Sequence, residues 1–130
     1  MRYLGIDFGL KKIGLALGDD ETRIASPLEV IPREGSEDYI ERLIKEDGIE
    51  RFVVGLPVSA GSFHGSDQQK LTEAFIEGLR SRGMHVETCD ERYTSTESQR
   101  LQQEYGLDMP EDALAAMLIL QSFFNELPRP

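Results

Sequence analysis

Two apolar, β-rich stretches, residues 3–9 and 12–18, open the chain and are separated by Leu10–Lys11 with Gly9 beside them. A turn this short between two alternating runs predicts an antiparallel hairpin. A third strand is expected over 24–32, where Pro27 and Pro32 suit a sheet edge because proline cannot donate to a ladder. Ser36 reads as an N-cap, with Glu37 and Asp38 complementing the helix dipole behind it. Ile40, Leu43 and Ile44 then recur at helical spacing up to Asp47–Gly48, a glycine stop. Phe52, Val53 and Val54 form a short buried strand ending at Gly55–Leu56–Pro57.

Residues 58–65 are loop-like, and Ser66 with Gln69 forms a capping box for a second helix. Its expected core face is Leu71, Ala74, Phe75 and Leu79, and Gly83 ends it. A strand follows over 84–90. Thr94 and Glu97 make another capping box, opening a helix to about Tyr105 with Gly106 as its stop, and Pro110 begins a last helix running to about Phe124. The order βββαβαβαα, without internal repeat or low-complexity linker, argues for one α/β domain over 1–130. A hairpin unit would be continued there by parallel strands through right-handed crossovers. Parallel strands put their carboxyl ends on one edge of the sheet, where sites tend to form.

Composition changes this picture in three places. No apolar run approaches the roughly 20 residues of a membrane span, and the start lacks the features of a secretion signal, so a cytoplasmic location with no membrane partner is expected. Cys89 is the single cysteine, which excludes an internal disulfide and suits a reducing compartment. The net charge of −10 argues against simple nucleic-acid binding, since phosphate contacts want a basic footprint. The excess is uneven, however: residues 19–50 hold eleven acids against four bases, whereas 1–18 hold three bases against one acid.

Three acidic positions carry candidate chemistry. Asp7 lies inside an otherwise apolar strand, where a bare carboxylate is costly unless paired or bound to a metal, and Gly5 and Gly9 on its face leave room for a ligand. Asp90 and Glu91 fall where the last strand ends and alternate faces, so at most one points toward Asp7. Asp112 shares the apolar stripe of the last helix with Ala115, Ala116, Ile119 and Phe123, while Asp108 and Glu111 are better placed for capping. Carboxylates gathered in one pocket repel by roughly 4 kcal/mol per pair at about 4 Å, so they imply a cation. Oxygen-only donors suit a hard divalent ion, Mg²⁺ or Mn²⁺.

The segments GIDFGLKKIGLALGD, FVVGLP, DERYTSTES and DALAAMLILQ, in this order, resemble the YqgF family over nearly the whole chain. The resemblance implies a ribonuclease-H-like fold with a five-stranded mixed sheet in the order 3-2-1-4-5 and helices on both faces. It also implies a bacterial cytoplasmic nuclease that matures the 5′ end of 16S rRNA from its precursor, with Holliday junction resolvase activity on four-way DNA junctions as the alternative. Ribosomal precursor particles are then possible partners, and the chain would act as a monomer or a homodimer. By the family's pattern the metal-binding, catalytic acids correspond to Asp7, Glu91 and Asp112, with Glu91 preferred to Asp90. Lys11, Lys12, Arg92 and Arg100 are the basic candidates for substrate near them, and His64 sits in a Gly/Ser-rich loop. Two rivals are an actin-like nucleotide-binding protein, which needs two such lobes, and a binding module that kept the fold without catalysis.

Overall fold

The computed structural model describes residues 1–57, 67–91, 100, 103–104 and 109–128, with the side chain of Glu91 left outside that set. Strands β1 (Arg2–Asp7), β2 (Lys12–Asp19), β3 (Ile24–Pro32), β4 (Arg51–Pro57) and β5 (Val86–Glu91) form one sheet in the order β3-β2-β1-β4-β5. The first three are antiparallel neighbours, and β4 and β5 continue the sheet in parallel from β1. The proline-bearing β3 is an edge strand, as its composition requires. Helix α1 (Ser36–Asp47) connects β3 to β4, and α2 (Asp67–Ser81) lies between β4 and β5 in sequence. Helix α3 (Glu111–Glu126) ends the described chain.

Strand alternation sorts the core into two layers. Leu4 and Ile6 of β1 pack with Phe52 and Val54 of β4 against Ile40 and Leu43 of α1 and Phe75, Ile76 and Leu79 of α2. On the opposite face Tyr3, Ala16 and Val53 pack against Leu114, Met117, Leu120 and Phe124 of α3. The second layer is unusually tight. A Cβ built on Gly5 would come within 2.8 Å of the Ala116 carbonyl oxygen, and one on Gly18 within 2.6 Å of the Phe124 ring. Glycines in β1 and β2 thus let α3 lie directly on the strand backbones.

Several details differ from the sequence reading, among them β5, which starts at Val86 and not at 84. β1 stops at Asp7, so residues 8–11 make the turn. Gly9 is required there, because a Cβ would meet the Lys12 carbonyl oxygen at 2.4 Å. The N-cap of α1 is Gly35, held left-handed at φ 78°, and Ser36 is a buried first-turn residue with no capping role. The buried face of α2 is Thr72, Phe75, Ile76 and Leu79, whereas Leu71 is 40% exposed and Ala74 is exposed too. Thr72 Oγ1 donates to the Gln68 carbonyl at 2.7 Å, which satisfies its hydroxyl inside the helix and lets it turn inward. The last helix starts at Glu111, with Pro110 at the N-cap position. Ser66, Thr94, Glu97, Tyr105 and Gly106 lie outside the described residues.

The far end of α3 is held by the β2–β3 connection. Arg23 donates from its guanidinium to the carbonyls of Leu127 at 2.9 Å and Pro128 at 2.5 Å, supplying a cation where the helix dipole wants one. Gln121 completes the clasp, donating to the Arg23 carbonyl at 2.8 Å and accepting from the Ala25 amide at 3.0 Å. Arg23 does this from a left-handed backbone, φ 58°. Arg23→Ala is therefore expected to lose about 1–2 kcal/mol through its charge-assisted hydrogen bonds. Arg23→Gly should recover up to about 1 kcal/mol of that loss by removing the left-handed penalty. Urea denaturation of the three proteins checks both; equal stability of Arg23→Ala and the wild type would remove the clasp from the account.

Candidate active site

Asp7 is the last residue of the central strand β1 and is directly opposite Gly14 of β2. Residues opposite one another in an antiparallel pair share a face. Gly14 faces α3 closely: a Cβ there would lie 1.9 Å from the Asp112 carbonyl oxygen and 2.4 Å from its carbonyl carbon. Asp7 and the first turn of α3 are thus brought together across one glycine, with Asp7 on the sheet face that α3 covers. Asp7 is half-buried, and the Asp112 side chain is 33% exposed. Pro110, at the N-cap position of α3, offers no side-chain cap, and Glu111 and Asp112 occupy its first turn, so Asp112 is not consumed as an N-cap. Asp108, the other proposed capping acid, lies outside the described residues.

Asp112 is paired with Lys12, whose Nζ is 3.3 Å from Oδ2. The lysine is 67% exposed, and pairs so open to solvent contribute at most about 1 kcal/mol. Lys12 therefore holds the charge of Asp112 loosely. Lys11 is exposed in the turn beside it, and Arg100 is exposed, while Arg92 and His64 lie outside the described residues.

The two adjacent acids of β5 part company. Val86 packs in the α1–α2 layer, and Thr88 lines a depression with Leu56 and Ile76. Alternation puts Asp90 with them, exposed and on the opposite face from Asp7. Cys89 is half-buried against the α3 layer, not fully buried as a lone cysteine usually is. Glu91 is the terminal residue of β5, in register with Pro57 of the neighbouring strand. Its side chain is outside the described set, and among the described residues no three acids, cysteines or histidines gather closely enough to hold an ion.

Sequence reading missed two residues. Gly14 looks like any small residue in a strand; only the long-range register that puts Asp7 on one side and α3 on top reveals its role. Arg33 follows β3, and its backbone N–H donates to the Lys11 carbonyl at 2.9 Å, bringing a further exposed cation to this end of the sheet.

A mixed sheet in this order, with an acid at the end of its central strand and another on the helix covering it, defines a ribonuclease-H-like scaffold. The chain belongs to the family described as "RuvX: Holliday junction resolvase", whose model matches residues 1–126, and is thus a member of a nuclease family. It is 41% identical to a protein of Bordetella petrii named "Putative pre-16S rRNA nuclease", over 96% of this chain and 95% of that one. A Bacteroides fragilis protein of the same name is 34% identical, over 95% and 96%. Among solved structures, Thermus thermophilus RuvC superposes with a TM-score of 0.63 at 14% identity, covering 95% of this chain and 94% of that one. The Fowlpox virus resolvase in complex with Holliday junction DNA gives 0.61 at 12%, covering 99% and 100%. At such identities these two establish the shared fold.

Proposed function

We propose that this chain is a divalent-metal-dependent nuclease that matures the 5′ end of 16S rRNA from its precursor, working in the cytoplasm on ribosomal precursor particles. The observation that carries the reading is the placement of Asp7 and Asp112 on either side of Gly14 at one sheet end. Full-length relatives named as pre-16S rRNA nucleases support the substrate.

The donors fit a hard cation, being carboxylate oxygens from separate elements. Asp7, Glu91 and Asp112 would hold Mg²⁺ or Mn²⁺; Glu91 is preferred because Asp90 falls on the other face. Bound there, the ion would supply Lewis-acid polarisation of the phosphate and a more acidic water. The chain's own residues do the remainder. The rigid β1 backbone fixes Asp7, and α3, seated on glycine, fixes Asp112. Lys12, released from Asp112 as the site fills, together with Lys11, Arg92 and Arg100, grips substrate phosphates.

A second reading, cleavage of four-way DNA junctions, is favoured by the description of the family. Defined precursor rRNA and a four-way junction, incubated side by side with Mg²⁺, Mn²⁺ or EDTA, separate the two. Metal-dependent trimming of the RNA with an intact junction is the expected result. The reverse pattern, together with a dimeric mass matching the two-fold symmetry of a junction, supports the second reading. Cleavage of neither substrate sinks both.

A further inference from the structure

Arginine supplies the cation at several structural contacts of this acidic protein. Arg23 donates to the carbonyls that end α3, and Arg82 bridges Glu37 and Asp38 of α1. Arg80 pairs with Glu77 while donating to the Val86 carbonyl at 2.9 Å. Among the described residues one ion pair is made by a lysine, and it is the one at the site: Lys12 Nζ lies 3.3 Å from Asp112 Oδ2. The two residue types hold a carboxylate differently. A guanidinium grips with a planar fork, whereas an ammonium is a hydrated point charge on a flexible stem.

The root of that stem is fixed and its tip is not. Ile13 packs in the α1–α2 layer, so alternation puts Lys12 on the α3 face with Gly14, the residue opposite Asp7. Lys12 is in register with Pro32, and the neighbouring Lys11 carbonyl accepts from the Arg33 N–H, so the backbone is held by the β2–β3 ladder. The lysine side chain is 67% exposed and that of Asp112 33% exposed. Water reaches both, and the lysine can swing away without uncovering a buried group. The Asp112 backbone cannot follow it, because its carbonyl rests against Gly14.

A divalent ion drawn to Asp112 therefore meets a like charge already beside that carboxylate. We propose that Lys12 is a built-in competitor of the divalent ion: it neutralises Asp112 until the ion binds, and must let go for binding to occur. The competition weakens metal binding in the absence of substrate. A nucleic-acid phosphate, by taking the freed ammonium, strengthens it. By linkage, ion and substrate then support each other's binding. This rests on the nuclease reading above and adds to it what holds Asp112 beforehand.

The test is calorimetric titration of the full chain with Mn²⁺ alone, without nucleic acid. An exposed pair of this kind is worth a factor of about two to five, so Lys12→Gln is expected to bind Mn²⁺ tighter than the wild type by about that factor. Lys12→Arg, which keeps the charge, should bind no tighter than the wild type. Arg33→Gln removes the same charge from the other face of the same sheet end, where Arg33 borders a depression with Phe8 and Phe75, and should match the wild type. In turnover, Lys12→Gln should need less Mn²⁺ for half-maximal rate while its KM for precursor rRNA rises. A lysine that merely supported the site would weaken both. The competitor role is overturned if Lys12→Gln binds Mn²⁺ no tighter than the wild type, or if Arg33→Gln tightens binding equally. Should that happen while the wild type cleaves in a metal-dependent way, the nuclease reading stands. If the wild type neither binds Mn²⁺ nor cleaves either substrate, both fall together.

Discussion

Asp7→Asn is expected to reduce cleavage at least about a hundredfold, since weakening even the groups that orient metal ligands costs ten- to a hundredfold. The substitution keeps the shape and removes the charge. Asp7 is the position where that matters most: it ends the strand flanked by β2 and β4, and it faces the helix that carries Asp112. Asparagine can still offer one neutral oxygen, but it no longer neutralises a divalent ion. A thermal melt without metal checks that the fold survives the change. A readout independent of turnover follows from linkage. A ligand at a hundred times its Kd stabilises the folded state by about 2.7 kcal/mol. Wild-type protein should therefore gain Tm on addition of Mn²⁺, and Asp7→Asn should gain little. Cleavage by Asp7→Asn at the wild-type rate, with the same Mn²⁺-induced gain, would remove Asp7 from the site.

Much of the architecture could be read from local pattern. Two-residue alternation marks β1 to β3, prolines mark β3 as an edge, and Gly48 ends α1 at φ 67° as a glycine stop should. The family resemblance supplied the order of the strands, which agrees with the structure. What pattern could not supply depends on pairs distant in sequence. The buried face of α2 was misjudged because Thr72 counts as polar until its hydroxyl is seen to bond the Gln68 carbonyl. Ser36 looked like a cap because serine favours that place, yet Gly35 takes the turn and Ser36 is buried. Asp7 and Asp112 could be singled out as acids on apolar faces, but the glycine that joins them could not. Which face Asp90 and Glu91 each take depends on where β5 meets α3, which the packing of Val86 and Cys89 shows.

Among the described glycines, Gly14→Ala should be the most damaging added methyl. The added carbon would sit 1.9 Å from the Asp112 carbonyl oxygen, 2.4 Å from its carbonyl carbon and 3.0 Å from the Ala113 nitrogen. All three are backbone atoms of a helix start, so no rotamer change relieves the clash. Ordinary contact begins at 3.4 Å, so the N-terminus of α3 must shift by 1.5 Å, the difference between 3.4 and 1.9. Overpacking of this kind typically costs about 1–3 kcal/mol. The catalytic cost should be larger, since a misplacement of about 1 Å at a reacting centre is worth about a hundredfold in rate. Gly18→Ala is the matched control: it crowds the Phe124 ring at 2.6 Å near the other end of α3. It should lower Tm comparably while keeping most of the activity, because Asp112 stays in place. Thermal melts and single-turnover cleavage of both variants separate helix seating from site geometry. A folded Gly14→Ala protein that cleaves as fast as Gly18→Ala would mean that the position of Asp112 over β2 is irrelevant to the chemistry.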